Sequence, residues 1–136
     1  MADVDVALHW TGRGLAFEGG GPDGPTVVVD GDRELGPSPM QLLLISLAGC
    51  SAADVVDVLG KMRVSLEALT VRVEGDRAPE PPRRYTRIRL VYVTRGIAAA
   101  DEPKLRRAVE LSHQTYCSVV HTLRPDAELT FEIELG

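Results

Sequence analysis

No charged residue occurs in the stretch Ser38-Pro39-Met40-Gln41-Leu42-Leu43-Leu44-Ile45-Ser46-Leu47-Ala48-Gly49-Cys50. Ser38, followed three residues later by Gln41, matches a capping box, and Pro39 suits the first position of a helix. We therefore predict a helix from about residue 39 to about residue 62. Its first half is apolar on every side, which indicates a buried central helix rather than one that lies on a surface.

Strand patterns flank this helix on both sides. Alternating apolar side chains and turn residues predict strands at about residues 4–10, 15–18, 26–30, 66–76, 85–94 and 129–135, the first three as a small antiparallel meander. A second helix is expected over about residues 101–123. The order β-β-β-α-β-β-α-β, with strands in hairpins, predicts an α+β fold in which an antiparallel sheet carries its helices on one face. Such a sheet covers one side of the first helix, so we infer that a second copy of the chain covers the rest.

Length and charge narrow the classes of function. The chain has 136 residues, which predicts a single domain over residues 1–136. Its net charge of −5 argues against binding to nucleic acid or to anionic membranes, and the arginines at 83–89 are expected on the exposed face of a strand. No uninterrupted apolar run reaches the ~18 residues of a membrane span, and residues 1–5 lack a signal-peptide pattern. These features predict a cytoplasmic protein.

Cys117 has two histidines nearby in the sequence. On a continuous helix, His113, Cys117 and His121 would lie on one face. An imidazole near a thiol can accept its proton or, as imidazolium, stabilise the thiolate. The spacing therefore fits a reactive cysteine, but it fits equally a cysteine at the border of the core beside two surface histidines.

Cys50, the other cysteine of the chain, has a less favourable neighbourhood. Asp54 lies one helical turn away, and a carboxylate disfavours a thiolate by charge repulsion. Nothing cationic lies within two turns, so the local sequence favours structural packing. Two cysteines are too few for a structural zinc site in one chain, and no short ligand spacing supports a site that includes a histidine. We therefore predict neither a metal nor another cofactor.

Segments around both cysteines form a recognisable set. They are Ser38-Pro39-Met40-Gln41-Leu42-Leu43-Leu44, Leu47-Ala48-Gly49-Cys50-Ser51-Ala52-Ala53-Asp54-Val55-Val56, Leu59-Gly60-Lys61-Met62-Arg63 and Leu111-Ser112-His113-Gln114-Thr115-Tyr116-Cys117-Ser118-Val119. Together with the predicted order of elements, they resemble the OsmC/Ohr family, and in particular the OsmC-like branch of these thiol-dependent hydroperoxide reductases. The resemblance covers nearly the whole chain.

The resemblance implies a fold, an assembly and a reaction. Members of the family are intertwined homodimers with an active site at the dimer interface. Classical members reduce organic hydroperoxides in oxidative-stress defence. By that pattern Cys50 is the peroxidatic cysteine, which becomes a sulfenic acid, and Cys117 resolves it to a disulfide. A dithiol reductant, often a lipoyl group, then restores both thiols.

The sequence departs from the peroxidase subgroups at one position. Those subgroups have a glutamate ten residues before the first cysteine, where this chain has Met40 followed by the uncharged Gln41. They also use an N-terminal arginine that pairs with the thiolate, and Arg13 is the candidate for that role here. His113 or His121 would handle protons.

Two functions therefore remain open. In the first, a largely aliphatic pocket favours organic hydroperoxides over hydrogen peroxide. The predicted pocket residues are Met40, Gln41, Leu43 and Leu47. In the second, the same fold is a dimeric module that binds a small ligand with little or no catalysis, and the missing glutamate favours this alternative.

Overall fold

The computed structural model describes residues 2–136. The chain divides into two compact units, of which the first ends at Leu43 and the second is Leu44–Gly136. The helices and strands are β1 (Ala7–Trp10), β2 (Ala16–Gly20), β3 (Thr26–Asp30), α1 (Pro39–Lys61), β4 (Ala68–Arg77), β5 (Tyr85–Arg95), α2 (Glu102–Leu111), α3 (Ser118–Thr122) and β6 (Glu128–Leu135). This order confirms the predicted α+β fold, with the second predicted helix divided into α2 and α3. The single domain over residues 1–136 stays a prediction.

The sheet of the first unit has the order β1-β2-β3, and both of its pairings are antiparallel, as predicted. After β3, the Asp30 carboxylate accepts hydrogen bonds from the backbone N–H groups of Asp32, Glu34 and Leu35, at 2.8, 3.1 and 2.9 Å. These donors, that of Leu35 above all, hold the pKa of Asp30 below its usual value. They also fix the loop that leads toward α1.

The sheet of the second unit has the order β4-β5-β6. The β4 and β5 strands form the predicted antiparallel hairpin, but β6 runs parallel to β5. The predicted antiparallel pairing therefore holds for the strands that are joined by hairpins and not for β6. A parallel neighbour needs a crossover of a dozen or more residues, and the segment containing α2 and α3 supplies it.

The central helix α1 buries one stripe of side chains within a single chain. Leu47, Ser51, Val55 and Leu59, spaced four residues apart, are all buried. The side chains on other faces are not, and Ile45 is 55% exposed. Burial on all sides, as the sequence predicts, is thus not reached in one chain, because the β4-β5-β6 sheet and α2 cover a single face. By length and apolar composition α1 could cross a membrane, but core helices of soluble proteins meet the same criterion.

Arg87 and Arg89 lie on an outward face of β5, as predicted, whereas Arg83 and Arg84 precede the strand. Arg87 pairs with Glu128 at 3.0 Å. Arg89 pairs with Glu74 at 3.2 Å and with Glu132 at 2.6 Å. These cross-strand pairs link β5 to both of its neighbours in the sheet and neutralise the guanidinium groups.

Candidate functional site

Two free thiols and one carboxylate come together in the second unit. Cys50 and Asp54 lie one turn apart on α1, and Cys117 lies between α2 and α3. The two Sγ atoms and a carboxylate oxygen of Asp54 all lie within 4.8 Å of one another. Cys117 is buried, whereas Cys50 retains some exposure. The structure thus brings together the two cysteines that the sequence singles out.

Cys117 occupies a break in the second helical segment. A single turn of π-helix, Ser112–Tyr116, follows α2, and Cys117 itself is extended, with φ −76° and ψ 103°. The predicted continuous helix over residues 101–123 is therefore wrong here. The extra residue in the π turn changes the register, so the predicted common face of His113, Cys117 and His121 does not form: Cys117 is buried and His121 is exposed. Single π turns of this kind are frequent at functional sites.

The break gives the Cys117 thiol a defined orientation. Its Sγ atom accepts a hydrogen bond of 3.4 Å from the backbone N–H of Val120, in the manner of a helix N-cap. Burial raises the pKa of Cys117 to about 11, because the thiolate loses its hydration. At neutral pH, Cys117 is therefore a protonated thiol.

A chain of buried hydrogen bonds runs from Asp54 to His113. The Ser112 hydroxyl donates to Oδ2 of Asp54 at 2.9 Å, and the hydroxyl oxygens of Ser112 and Ser51 are 2.9 Å apart. The Ser51 hydroxyl lies 2.6 Å from the Tyr92 hydroxyl, which lies 2.7 Å from Nε2 of His113. These groups come from α1, β5 and the π turn, so the chain fastens three elements together at the thiol site.

The Asp54 carboxylate sets the direction of this chain. A carboxylate only accepts, so it takes the single hydroxyl hydrogen of Ser112. The Ser51 hydroxyl must then donate to Ser112, and the Tyr92 hydroxyl must donate to Ser51. Nε2 of His113 is left as the donor to Tyr92, so the imidazole carries a hydrogen on Nε2. Side-chain hydrogen bonding thus defines the histidine tautomer at the far end of the chain.

Burial keeps the two ring-bearing groups of this chain neutral. Loss of hydration raises the pKa of Tyr92 to about 12, and it lowers the pKa of His113 from its ordinary value. The imidazole also packs edge-on against Phe131, with ring centroids 5.2 Å apart. The hydrogen-bond chain requires an un-ionised phenol and a hydrogen on Nε2, and one tautomer of the neutral imidazole supplies that hydrogen.

A cleft of about 460 Å³ opens beside Asp54. Its lining residues are Asp54, Asp57, Val58, Lys61, Met62, Leu111 and Tyr116. The lining combines apolar side chains with the Lys61–Asp57 ion pair, whose N–O distance is 3.0 Å. The cleft therefore gives an amphipathic approach to the carboxylate of the thiol site.

The four residues predicted to form a substrate pocket have different environments. Gln41 completes the capping box: its Oε1 accepts from the Ser38 N–H at 2.9 Å, and its N–H donates to Ser38 Oγ at 3.1 Å. Met40 is half-buried, and Leu43 is 37% exposed. Leu47 is completely buried in the core. A pocket built from these residues stays a prediction.

Arg13, the predicted thiolate partner, lies in the first unit, whereas Cys50 lies in the second. It follows Gly12, whose φ is +85°, in the turn between β1 and β2. Together with acidic residues that include Asp30 and Glu34, it lines a small cavity of about 130 Å³. Its role as a partner of Cys50 stays a prediction.

Sequence reasoning missed Ser51, Tyr92 and Ser112 as members of the site. A tyrosine at an inward-facing position of an apolar strand is one available signal, since a buried phenol needs a hydrogen-bond partner. Ser51, next to Cys50, is one such partner, and Ser112, five residues before Cys117, bonds in turn to Ser51. Their meeting depends on the crossover between β5 and β6, which local spacing does not reveal.

The histidine at the end of the chain predicts a pH-dependent stability. Because burial lowers the pKa of His113, the unfolded chain binds more protons between that value and about 6.5. The contribution of His113 to stability is full above about pH 6.5, and it is lost as the pH falls through the folded-state value. His113→Gln, which retains an N–H donor for Tyr92, should therefore lose less stability than the parent between pH 7 and pH 5.

This prediction is measured by urea denaturation at several pH values in that range. His121→Gln, at an exposed position, is the matched control and should reproduce the parent's pH dependence. Equal slopes of unfolding free energy against pH for the parent and His113→Gln would contradict a lowered pKa of His113 in the folded protein.

Comparison with known proteins gives matches along most of the chain. The family model described as OsmC-like protein matches residues 30–132. Protein YhfA of Escherichia coli (strain K12) is 36% identical over 133 residues, covering 97% of this chain and 98% of YhfA. The crystal structure of a hypothetical protein from Aquifex aeolicus VF5 has a TM-score of 0.83 and 29% identity, covering 100% of this chain and 99% of that one.

A more distant structure carries a functional name. The organic hydroperoxide resistance protein OhrB of Bacillus subtilis has a TM-score of 0.63 and 17% identity, with 98% of each chain covered. At this identity the similarity concerns the fold alone.

Proposed function

This chain belongs to the OsmC-like protein family, and we propose that it is a thiol-dependent peroxidase that reduces organic hydroperoxides in oxidative-stress defence. The observation that carries the proposal is the approach of two free thiols, with the Sγ atoms of Cys50 and Cys117 within 4.8 Å. A disulfide bond is about 2.05 Å long, so the two sulfurs must move closer together for the proposed bond to form.

In the proposed reaction, Cys50 is the nucleophile. Its thiolate attacks the distal oxygen of the hydroperoxide, the O–O bond breaks, and the alkoxide leaves as an alcohol after it takes up a proton. The sulfur is oxidised to a sulfenic acid and the peroxide is reduced. The exposure of Cys50 supports this assignment, since the buried Cys117 is less accessible to a bulky hydroperoxide.

Cys117 is the proposed resolving cysteine. Its sulfur attacks the sulfenic sulfur of Cys50, a disulfide forms, and water leaves with the thiol proton. A dithiol reductant of the lipoyl type then reduces the disulfide by thiol–disulfide exchange, so the cycle balances without another cofactor. The protonated state of Cys117 at neutral pH supports a role as second reactant rather than first nucleophile.

The remaining predicted residues have supporting roles in the proposal. The hydrogen-bond chain gives a route for a proton between Asp54, next to the sulfurs, and His113. Arg13 is proposed to stabilise the Cys50 thiolate. Met40 and Leu43, beside the capping residue Gln41, are proposed to contact the organic part of the hydroperoxide.

A homodimer in the cytoplasm is part of the same proposal. Ile45 and Val56 of α1 are 55% and 52% exposed in one chain, and Trp10 of β1 is 62% exposed. Apolar residues on a long central helix gain stability when a second copy covers them. A cytoplasmic location supplies the reducing conditions in which both thiols persist between turnovers.

The alternative is a dimeric small-ligand-binding module with slow or absent catalysis. One observation favours it: an Asp54 carboxylate oxygen lies within 4.8 Å of both Sγ atoms, and an ionised carboxylate disfavours a nearby thiolate. Met40, at the position where peroxidase subgroups have a glutamate, favours it as well.

The deciding experiment is a thiol count and an intact mass after about one equivalent of cumene hydroperoxide is added to the reduced protein. The peroxidase predicts a rapid loss of both thiols and a mass decrease of two hydrogen atoms. Cys50→Ser should abolish the reaction, lowering the rate by several orders of magnitude. Survival of both thiols in excess peroxide would reject the peroxidase and favour the binding module.

A further inference from the structure

The thiol site has the composition of a metal site as well as that of a redox pair. Cys50 and Cys117 provide two sulfur donors, and Asp54 provides an oxygen donor within 4.8 Å of each. The sequence predicts no such site, because Cys117 lies 67 residues after Cys50 and Asp54 is only one helical turn from Cys50. The fold creates it by bringing the helix break at Cys117 against α1.

The arrangement of the three donors fits a tetrahedral cation. Zinc binds thiolate sulfur at about 2.3 Å and carboxylate oxygen at about 2.0–2.2 Å, which separates tetrahedral ligand atoms by roughly 3.5–4 Å. Donors that already lie within 4.8 Å reach this separation by small side-chain rotations. Sulfur donors select thiophilic cations over Mg²⁺ or Ca²⁺.

The carboxylate is also oriented in the way that metal ligands are. Ser112 donates a hydrogen bond of 2.9 Å to Oδ2 of Asp54, and the same hydroxyl is tied to Ser51 and through it to Tyr92. Hydrogen bonds from an outer shell of this kind hold a ligating carboxylate in place. Asp54 is only partly buried, which leaves a path for an ion to enter beside the cleft.

We propose that the reduced protein binds one Zn²⁺ per chain through Cys50 Sγ, Cys117 Sγ and the Asp54 carboxylate, with water as the fourth ligand. Two S–H bonds break and two Zn–S bonds form, and two protons are released to solvent. Once the thiols are deprotonated, attraction to the bound cation offsets the repulsion among the two thiolates and the Asp54 carboxylate. Because the metal shares an electron pair of the Cys50 sulfur, zinc-bound protein should attack a peroxide more slowly than the metal-free dithiol does.

The test is a Zn²⁺ titration of reduced, metal-free protein against a chromophoric chelator, with Co²⁺ as a spectroscopic probe. We expect one Zn²⁺ per chain, and thiolate-to-Co²⁺ charge-transfer absorption that disappears in the disulfide form. Asp54→Asn keeps an oxygen acceptor for the Ser112 hydroxyl, and it leaves both thiols in place. The substitution should weaken Zn²⁺ binding by at least about tenfold. Asp126→Asn is the matched control, since this exposed carboxylate pairs with Arg124 and does not line the cleft, and the Zn²⁺ affinity of this variant should equal the parent's.

Failure of reduced protein to bind Zn²⁺, or an unchanged affinity in Asp54→Asn, would overturn the inference. Binding is measured without peroxide, so it is separable from the proposed peroxidase. A protein that binds Zn²⁺ but leaves hydroperoxide untouched retains the metal site and loses the proposed function. A protein that reduces hydroperoxide but binds no Zn²⁺ supports the proposed function and rejects the metal site.

Discussion

Cys117→Ser should stop hydroperoxide reduction after a single turnover. Without the second thiol, the sulfenic acid at Cys50 has no partner within reach for disulfide formation, so dithiol reductant cannot recycle it along the normal route. Excess hydroperoxide then oxidises the same sulfur further, to sulfinic acid. The expected steady-state rate is lower than the parent's by at least about two orders of magnitude, in line with the loss of an essential covalent step.

The local structure makes serine a suitable replacement at this position. Cys117 Sγ accepts a hydrogen bond from the Val120 N–H, and serine is among the preferred residues for such a cap. The fold around the break should therefore persist, and loss of turnover reports on chemistry rather than on unfolding. Circular dichroism and the unfolding midpoint check this point for the variant.

Intact mass distinguishes the outcomes of this experiment. Cys117→Ser treated with excess hydroperoxide should gain two oxygen atoms at Cys50, whereas the parent should lose two hydrogen atoms. The double variant with Cys50→Ser should gain nothing. Continued turnover by Cys117→Ser at the parent's rate would show that another thiol, such as that of the reductant, resolves the sulfenic acid directly.

Local sequence signals predict most of the fold. The capping box of Ser38 and Gln41, with Pro39, predicts the start of α1 correctly, and both of its reciprocal hydrogen bonds form. Alternation of apolar residues predicts the strands and the exposed arginine face of β5. These features depend on neighbours in sequence, which the chain displays directly.

Two features of the fold depend on contacts between distant residues, and the sequence pattern does not predict them. The parallel pairing of β6 with β5 follows from where the crossover returns, not from the pattern of β6 itself. The interruption at Cys117 follows from packing: Cys117 N–H bonds to the Ser112 carbonyl at 2.8 Å in the π turn, and its side chain enters the core. Helical periodicity through residues 101–123 carries no signal of such a break.

The same distinction between local and distant contacts applies to the candidate site. The sequence and its family resemblance single out the two cysteines, and the structure brings them together. The buried Ser51–Tyr92–His113 hydrogen bonds were not identified, because each polar group is satisfied by a partner far away in sequence. The spacing from Cys117 predicts His113 as a site residue, but its hydrogen bond to the site is made through Tyr92.

Leu47→Ala should lower the free energy of unfolding by about 2–5 kcal/mol, the range for removing a leucine side chain from a core where the cavity only partly collapses. Leu47 has no exposed surface, and it is part of the main core with Leu90 and Val109. Guanidinium unfolding followed by far-ultraviolet circular dichroism measures the loss. Loss of this size is a large share of the total stability of a single domain.

Ile45→Ala, two residues earlier on α1, is the matched control. Ile45 is 55% exposed in one chain, so its truncation should cost about 1 kcal/mol or less if nothing covers it. Under the proposed homodimer, the cost rises and depends on protein concentration, because dissociation exposes the site again. The control therefore tests for a second copy of the chain, and it also measures the cost of truncating an exposed side chain of α1.

The Leu47 result also decides between two roles for this residue. If Leu47 is a core residue, its truncation lowers the free energy of unfolding. The Michaelis constant for hydroperoxide then stays near the parent's at temperatures where the variant is folded. A pocket residue shows the reverse, with a raised Michaelis constant for bulky hydroperoxides and little loss of stability. A pocket role is possible because Leu47 lies less than one helical turn before Cys50. A stability loss below about 1 kcal/mol on truncation would contradict the core assignment. It would leave Leu47 as a lining residue of the substrate pocket, as the sequence predicts.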